Sequence, residues 1–161
     1  VAHRPELLIL DEPGRGLDPV FRRHFLEEVV ALLLAERTSV VFSSHNLVEL
    51  EQVATRVWIL DDGRLILEED VDRLREESSR VLVESPRDDL WAACQGLPGF
   101  VRAVRRDGGW VLTFRASPEE ASRRVEEALG GTQGEAKGAA VKDAQPISLE
   151  DLFVALVEDE R

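Results

Sequence analysis

The stretch Leu7–Pro19, LLILDEPGRGLDP, decides the fold of this chain. It begins with four consecutive apolar residues, a pattern typical of a strand that is buried on both faces inside a parallel sheet. Asp11 and Glu12 follow this strand at its carboxyl end, where open α/β sheets bind their ligands. Pro13 cannot donate to a strand ladder and ends the strand, and the loop that follows carries a third acid, Asp18. The stretch therefore predicts a buried strand that presents carboxylates at a ligand-binding edge.

A second strand is predicted to end at the same edge. Val20–Glu36 has apolar residues at helical spacing with charged residues on the other side, and Asp18 precedes it as a cap. Thr38–Ser43, TSVVFS, is a β-branched apolar run that predicts a second buried parallel strand. A strand, a helix and a parallel strand form a βαβ unit, whose crossover is right-handed. Its two strands would bring Glu12 and His45 to one edge of the sheet.

Two motifs of the chain resemble those of a known family. LLILDEP followed by GLDP resembles the Walker B strand and D-loop of ABC-type ATPases. Residues 43–65, SSHNLVELEQVATRVWILDDGRL, resemble their H-loop region, in which a strand ends in Ser-His and a helix and a hydrophobic strand lead into Asp-Gly-Arg. SLEDLFVAL, close to the end, resembles the last segment of ATPase subunits from drug- and antibiotic-type exporters. The chain thus resembles the C-terminal part of an ABC transporter ATP-binding subunit.

The resemblance implies a role for each of four residues. Asp11 would hold Mg²⁺ through water, and Glu12 would be the general base for the water that attacks the γ-phosphate of ATP. His45 would contact the γ-phosphate and keep the attacking water and Glu12 in register. Asp18 would be the D-loop acid that communicates across an ATPase dimer. The implied cofactors are ATP and Mg²⁺. The residues implied to bind the nucleotide are Asp11, Asp18 and His45, and Asp11 is also the implied metal ligand.

The phosphate-binding residues of this family have no counterpart in the chain. It has no G-x-x-x-x-G-K-[ST] loop, whose backbone N–H groups and lysine neutralise the phosphates. It also has no glutamine loop and no LSGGQ-like signature. Gly14 and Arg15 stand where the family often has Thr-Ser. Because Val1–Pro5 resembles the last turn of the helix before Walker B, we expect a fragment that carries the hydrolysis half of the site without the binding half.

Two domains are predicted. Residues 1–78 are expected to be the C-terminal half of an ABC nucleotide-binding domain, an α/β fold with part of a P-loop NTPase parallel sheet. This part closes with a hairpin at Asp61-Asp62-Gly63 and a short charged helix. Residues 79–161 have the predicted order β-α-β-β-α-β-α, which resembles a ferredoxin-like split βαβ arrangement. They would form a small α+β accessory domain.

The accessory domain has a predicted core and a predicted free thiol. The helices are expected over Asp88–Gln95, Pro118–Leu129 and Ser148–Glu158, and the strands over Arg80–Glu84, Val101–Arg106, Trp110–Arg115 and Ala139–Asp143. A flexible loop is expected over Gly130–Gly138. The aromatic residues expected in the core are Trp91, Phe100, Trp110 and Phe114. Cys94 is expected to be a small buried hydrophobe rather than a nucleophile.

Composition limits the classes of protein that this chain can represent. Its net charge of −12 argues against a nucleic-acid partner. A single cysteine excludes an internal disulfide, and no Cys/His cluster indicates zinc. The apolar runs are far shorter than the roughly 20 residues that span a bilayer, and no secretory leader is recognisable. The expected location is the cytoplasm, with attachment to the cell membrane through a permease subunit.

The leading interpretation is a fragment of the ATP-hydrolysing subunit of an ABC transporter. In the complete protein, a homodimer of ATPase subunits would couple hydrolysis to export through a membrane-spanning permease. One alternative is a catalytically dead half-domain that acts as a protein-interaction or regulatory module. Another is an ABC ATPase of DNA repair or translation, against which the lack of a coiled-coil insertion argues.

Overall fold

The computed structural model describes residues 5–35, 37–86, 88–130 and 138–159. Within these ranges the fold is mixed α/β, with eight strands in three sheets. The chain divides into two compact units, Val1–Ala54 and Thr55–Arg161. The hairpin around Asp62 therefore belongs to the second compact unit, and a domain boundary between residues 78 and 79 stays a prediction. Among the described residues, no helix combines the length and the apolar character needed to cross a membrane.

The first unit is a βαβ arrangement followed by a short helix. Its elements are strand β1 (Leu7–Leu10), helix α1 (Pro19–Ala35), strand β2 (Ser39–Phe42) and helix α2 (Leu47–Val53). The two strands pair in parallel, with Leu7 opposite Ser39 and Leu10 opposite Phe42. The predicted strand pair is thus present, and the predicted cap of α1 is confirmed, because Asp18 Oδ1 accepts from the N–H groups of Val20 and Phe21 at 3.1 Å each.

The prediction that β1 is buried on both faces is wrong for the described structure. Ile9 is 71% exposed and Leu7 is also exposed, because β1 and β2 form a sheet of only two strands among the described residues. Helix α1 likewise leaves apolar residues in contact with solvent: Phe21 is 70% exposed, whereas Leu26 is buried. This unit therefore has apolar side chains that the described residues do not cover.

The second unit contains a hairpin and a four-stranded sheet. Its strands are β3 (Arg56–Asp61), β4 (Arg64–Asp70), β5 (Ser79–Glu84), β6 (Phe100–Arg106), β7 (Gly109–Phe114) and β8 (Ala140–Pro146). Its helices are α3 (Val71–Glu76), α4 (Leu90–Cys94), α5 (Pro118–Gly130) and α6 (Leu149–Asp159). Strands β3 and β4 pair with each other, and the larger sheet has the order β6-β7-β5-β8 with antiparallel neighbours throughout.

The turns and caps of this unit follow from local sequence. Asp62 and Gly63 both have positive φ, 43° and 76°, which is the backbone geometry that a two-residue hairpin loop of the Asp-Gly type requires. Ser117 caps α5, since its Oγ accepts from the Glu120 N–H at 3.3 Å. Ser148 does the same for α6 through the N–H of Asp151 at 3.1 Å. The predicted hairpin is confirmed, and each of the two helices begins at a serine cap.

One face of the four-stranded sheet forms the core of the second unit with α4 and α5. Fully buried side chains from the strands meet fully buried side chains from the two helices: Val81, Leu112 and Phe114 against Leu90, Cys94, Ala121 and Val125. The Phe100 and Phe114 rings meet edge to face with centroids 5.7 Å apart, a favoured aromatic geometry. Burial raises the pKa of the Cys94 thiol to about 11, in keeping with a packing role.

Two expectations for this unit are corrected. Helix α4 is one short turn rather than the predicted Asp88–Gln95. Trp91 is 46% exposed and is not part of the core, because Leu90 and Cys94 lie four positions apart on the face that packs and Trp91 lies about 100° around the helix. Most of the predicted loop Gly130–Gly138, and most of the predicted helical turn Val1–Pro5, lie outside the described residues.

Candidate functional site

The candidate site lies at the carboxyl ends of the parallel strands β1 and β2. Leu10 pairs with Phe42, so the residues that follow the two strands leave the sheet side by side. Asp11 and Glu12, hereafter the carboxylate pair, follow β1, and the segment 43–45, Ser-Ser-His, follows β2. The parallel pairing thus brings together polar side chains that are more than 30 residues apart in sequence.

Glu12 and His45 are in direct contact. Glu12 Oε1 lies 3.1 Å from Nδ1 of His45, and the two side chains are 30% and 72% exposed. Because a carboxylate only accepts, the contact places a proton on Nδ1, and Nε2 of a neutral ring is then an acceptor. A neutral imidazole in this position holds Glu12 but cannot also donate to a phosphate through Nε2. Donation to a phosphate requires either the imidazolium or a turn of the ring away from Glu12.

The second oxygen of Glu12 faces a cation. Arg15 Nη1 lies 3.4 Å from Glu12 Oε2, so the carboxylate lies between an imidazole and a guanidinium. The Arg15 side chain is almost fully exposed, and an ion pair of this kind contributes at most about 1 kcal/mol to stability. Arg15 therefore adds positive charge beside the carboxylate without fixing it in place.

Ser43 joins the two members of the carboxylate pair, a contact that sequence reasoning missed. Its hydroxyl donates to Asp11 Oδ1 at 2.5 Å and accepts from the Glu12 N–H at 2.8 Å. Its own N–H donates to the carbonyl of Leu10 at 2.9 Å, which continues the strand ladder by one bond. The signal was present in the sequence: a hydroxyl residue ends one strand where two acids end its parallel neighbour.

The backbone turns sharply at Glu12. Its φ is 40°, a left-handed conformation that costs a residue with a side chain roughly 1 kcal/mol or more and persists only where its surroundings hold it. The Glu12 carbonyl accepts from the Arg15 N–H at 2.9 Å, and the Glu12 N–H is held by Ser43. The hydrogen bonds on both sides of Glu12 thus maintain the turn that directs its carboxylate to His45.

Asp18 occupies a different position from the other predicted site residues. Its Oδ1 caps α1 through two backbone N–H groups. The pocket at the strand ends, as far as the described residues form it, includes Glu12, Arg15 and His45 in its lining but neither Asp11 nor Asp18. The structure therefore brings Glu12 and His45 together, places Asp11 beside them through Ser43, and leaves Asp18 at the start of the helix.

The residues present fit one side of a magnesium–nucleotide site. The exposed Asp11 carboxylate supplies oxygen atoms of the type that Mg²⁺ prefers, directly or through water. In the described part of the chain, however, no group of three or more His, Cys, Asp or Glu residues could hold a metal by itself. The phosphate-binding loop is missing from the sequence. Asp11 could thus contribute to an Mg²⁺ site whose other ligands come from the nucleotide, water or other protein residues.

Comparison with known proteins identifies relatives along nearly the whole chain. An uncharacterized ABC transporter ATP-binding protein of Alkalihalophilus pseudofirmus is 29% identical over 98% of this chain and 56% of its own length. The ABC transporter ATP-binding protein YtrB of Bacillus subtilis is 36% identical over 96% of this chain and 49% of its own length. The bacitracin transport ATP-binding protein BcrA of Bacillus licheniformis is 38% identical over 50% of this chain and 26% of its own length.

The chain spans about half the length of the curated relatives that match it from end to end. No family model matches it. The relatives are nevertheless all named ATP-binding proteins, several of them of ABC transporters, and they include a bacitracin transport protein and a linearmycin resistance protein. The resemblance predicted from the motifs is confirmed: the chain is a relative of the ATP-binding subunits of ABC transporters of the drug-exporter type.

Proposed function

We propose that this chain is the hydrolysis half of the nucleotide-binding domain of an ABC transporter ATPase subunit. The observation that carries the proposal is the contact between Glu12 and His45, 3.1 Å apart at the ends of two parallel strands. A carboxylate held by an imidazole beside a pocket has the geometry of an oriented general base. In the complete protein, the domain would couple ATP hydrolysis to export through a membrane-spanning permease.

Glu12 is the proton acceptor in this proposal. The water that attacks the γ-phosphate gives its proton to a Glu12 oxygen as the new P–O bond forms, and the β–γ bridging oxygen leaves with ADP. His45 keeps the carboxylate pointed at the water through the proton on Nδ1. Its other ring nitrogen faces away from Glu12, where an imidazolium could donate to the phosphate.

Asp11 is the metal-side acid in this proposal. Asp11 would hold Mg²⁺, which would supply positive charge against the phosphates. The role of Asp11 is to hold that charge at the strand end, with its Oδ1 fixed by the Ser43 hydroxyl. Asp18 would act across a homodimer of ATPase subunits, and its position in the loop before α1 supports this assignment.

The accessory domain and the cellular location are part of the same proposal. Residues 1–78 would complete a P-loop NTPase sheet with an upstream half, and residues 79–161 would be a ferredoxin-like domain. The antiparallel order β6-β7-β5-β8 with the connections β-α-β-β-α-β supports that assignment. The subunit would work in the cytoplasm, bound to the membrane through its permease and not to nucleic acid; the similarity to a bacitracin transport protein supports a transport role.

A catalytically dead interaction module is the second candidate function. The exposed apolar residues Leu7, Ile9 and Phe21 favour a contact with further protein, whether or not ATP is hydrolysed. A module of this kind would bind its partner without nucleotide. Unlike the ATPase, such a module would not need a phosphate-binding loop, either in its own chain or in its partner.

The purified 161-residue chain is expected neither to bind ATP tightly nor to hydrolyse it. The reason is that the phosphates would lack the loop and lysine that neutralise them. The same chain joined to its upstream coding sequence is expected to hydrolyse ATP. Release of phosphate and binding of a fluorescent ATP analogue measure both. ATPase activity of the 161 residues alone that Glu12→Gln abolishes would contradict the division into a binding half and a hydrolysis half.

A further inference from the structure

Ser43 is the residue on which both members of the carboxylate pair converge. Its single hydroxyl uses its proton on Asp11 Oδ1, at 2.5 Å, and a lone pair on the Glu12 N–H, at 2.8 Å. The carboxylates of two adjacent acids repel each other. The Ser43 hydroxyl holds Asp11 and Glu12 in a fixed position relative to each other, because it donates to the side chain of Asp11 and accepts from the backbone of Glu12. The neighbouring Ser44 makes a different contact, since its Oγ accepts from the Asn46 N–H at 3.0 Å.

The contact with Ser43 stabilises an unfavourable backbone conformation of Glu12. A left-handed residue with a side chain relaxes towards negative φ unless hydrogen bonds hold it, and Glu12 has φ 40°. A relaxed φ would rotate the Glu12 carboxylate away from His45 and from the pocket. Its N–H would also be released from Ser43, the one hydrogen bond across the two strands that the Glu12 main chain makes in the described structure.

We infer that Ser43 is a positioning residue for hydrolysis. It holds Glu12 in its left-handed conformation and fixes Asp11 beside it. The inference rests on the proposed function, because it assigns Ser43 a role in the action of the same carboxylates. The side chain of Ser43 itself touches neither nucleotide nor water in this role. It acts through the backbone N–H of Glu12 and through one oxygen of Asp11.

The first test is amide hydrogen exchange, read by NMR on the 161-residue chain. Ser43→Ala removes the acceptor of the Glu12 N–H, and Ser43→Thr keeps it. We expect the Glu12 amide to exchange about three- to tenfold faster in Ser43→Ala, the factor that one lost hydrogen bond gives, and at the wild-type rate in Ser43→Thr. The amide of position 43 is the internal control, because its bond to the Leu10 carbonyl does not need the hydroxyl and stays protected while the strands remain paired.

The second test is steady-state ATP hydrolysis by the chain joined to its upstream coding sequence. Ser43→Ala is expected to lower kcat about tenfold, because small displacements of a base are costly to the chemical step, while KM for ATP stays unchanged. Ser43→Thr is expected to restore kcat. A residue that served stability alone would instead lower the amount of active protein and leave the turnover of the remaining protein intact.

The outcomes separate this inference from the proposed function. If the wild-type protein hydrolyses ATP but Ser43→Ala turns over equally fast, or if the Glu12 amide exchanges equally in Ser43→Ala and wild type, the positioning role is overturned and the proposed function stands. Failure of Ser43→Thr to restore either readout also overturns it. If the wild-type protein with its upstream sequence does not hydrolyse ATP, the proposed function fails and the positioning role for hydrolysis falls with it.

Discussion

Replacing Glu12 by glutamine is expected to reduce ATP turnover of the complete ATPase by at least about 100-fold, the lower bound for loss of a general base. The carboxamide has the size of the carboxylate and can still meet His45, so the pocket keeps its shape. It cannot take the proton from the attacking water. ATP binding is therefore expected to persist in Glu12→Gln, and the measurements are kcat from phosphate release and the dissociation constant for ATP.

Glu28→Gln is the matched control for this substitution. Glu28 also lies beside a histidine, with Oε1 3.2 Å from Nε2 of His24, but the pair is exposed within α1 and does not line the pocket. We expect turnover of Glu28→Gln to stay within about twofold of wild type. Equal effects of the two substitutions, or a Glu12→Gln protein that retains wild-type turnover, would show that Glu12 is not the base.

Truncating Phe114 to alanine is expected to cost the second unit about 3–5 kcal/mol of unfolding free energy. Phe114 is among the largest fully buried side chains of the described residues, and its ring packs edge to face on Phe100. Its removal leaves a cavity that strands β5–β8 cannot close without breaking their register. All three tryptophans of the chain lie in this unit, so the urea midpoint followed by tryptophan fluorescence measures the loss directly.

Trp91→Ala provides the comparison for Phe114→Ala. It removes a larger aromatic side chain from the same unit, but one that is half exposed, and we expect a loss below about 1 kcal/mol. The m value should be unchanged in both variants, because the surface exposed on unfolding hardly differs. A loss for Trp91→Ala as large as that for Phe114→Ala would mean that the core is not where the structure has it.

The fold was predictable wherever local chemistry alone decides it. The Asp62-Gly63 turn, the serine caps of α5 and α6 and the alternating strand β5 each follow from the preferences of a few adjacent residues. Trp91 was assigned wrongly because hydrophobicity does not show which side of a one-turn helix faces the sheet. The burial of β1 was also predicted wrongly. An apolar run shows that a strand favours apolar neighbours, but it does not show whether the described residues provide those neighbours.

The candidate site was predictable in part. Parallel strands must bring their carboxyl ends to one edge, so the proximity of Glu12 and His45 follows from two apolar runs and the helix between them. The hydroxyl bridge at Ser43 and the left-handed φ of Glu12 depend on the register of β1 and β2 and on loop geometry. The serine at the end of β2 is visible in the sequence, but neither feature follows from composition or periodicity, since a shift of one residue in the register would put Phe42 or Ser44 in its place.

Sequencing the DNA immediately upstream of the Val1 codon tests the central claim most directly. A hydrolysis half needs a binding half, so we expect an in-frame segment that encodes G-x-x-x-x-G-K-[ST] followed by an LSGGQ-like stretch. Such a segment would supply the phosphate contacts that Asp11, Glu12 and His45 lack. A stop codon with a ribosome-binding site next to Val1 would contradict the claim, because the carboxylate pair would then have no bound nucleotide on which to act.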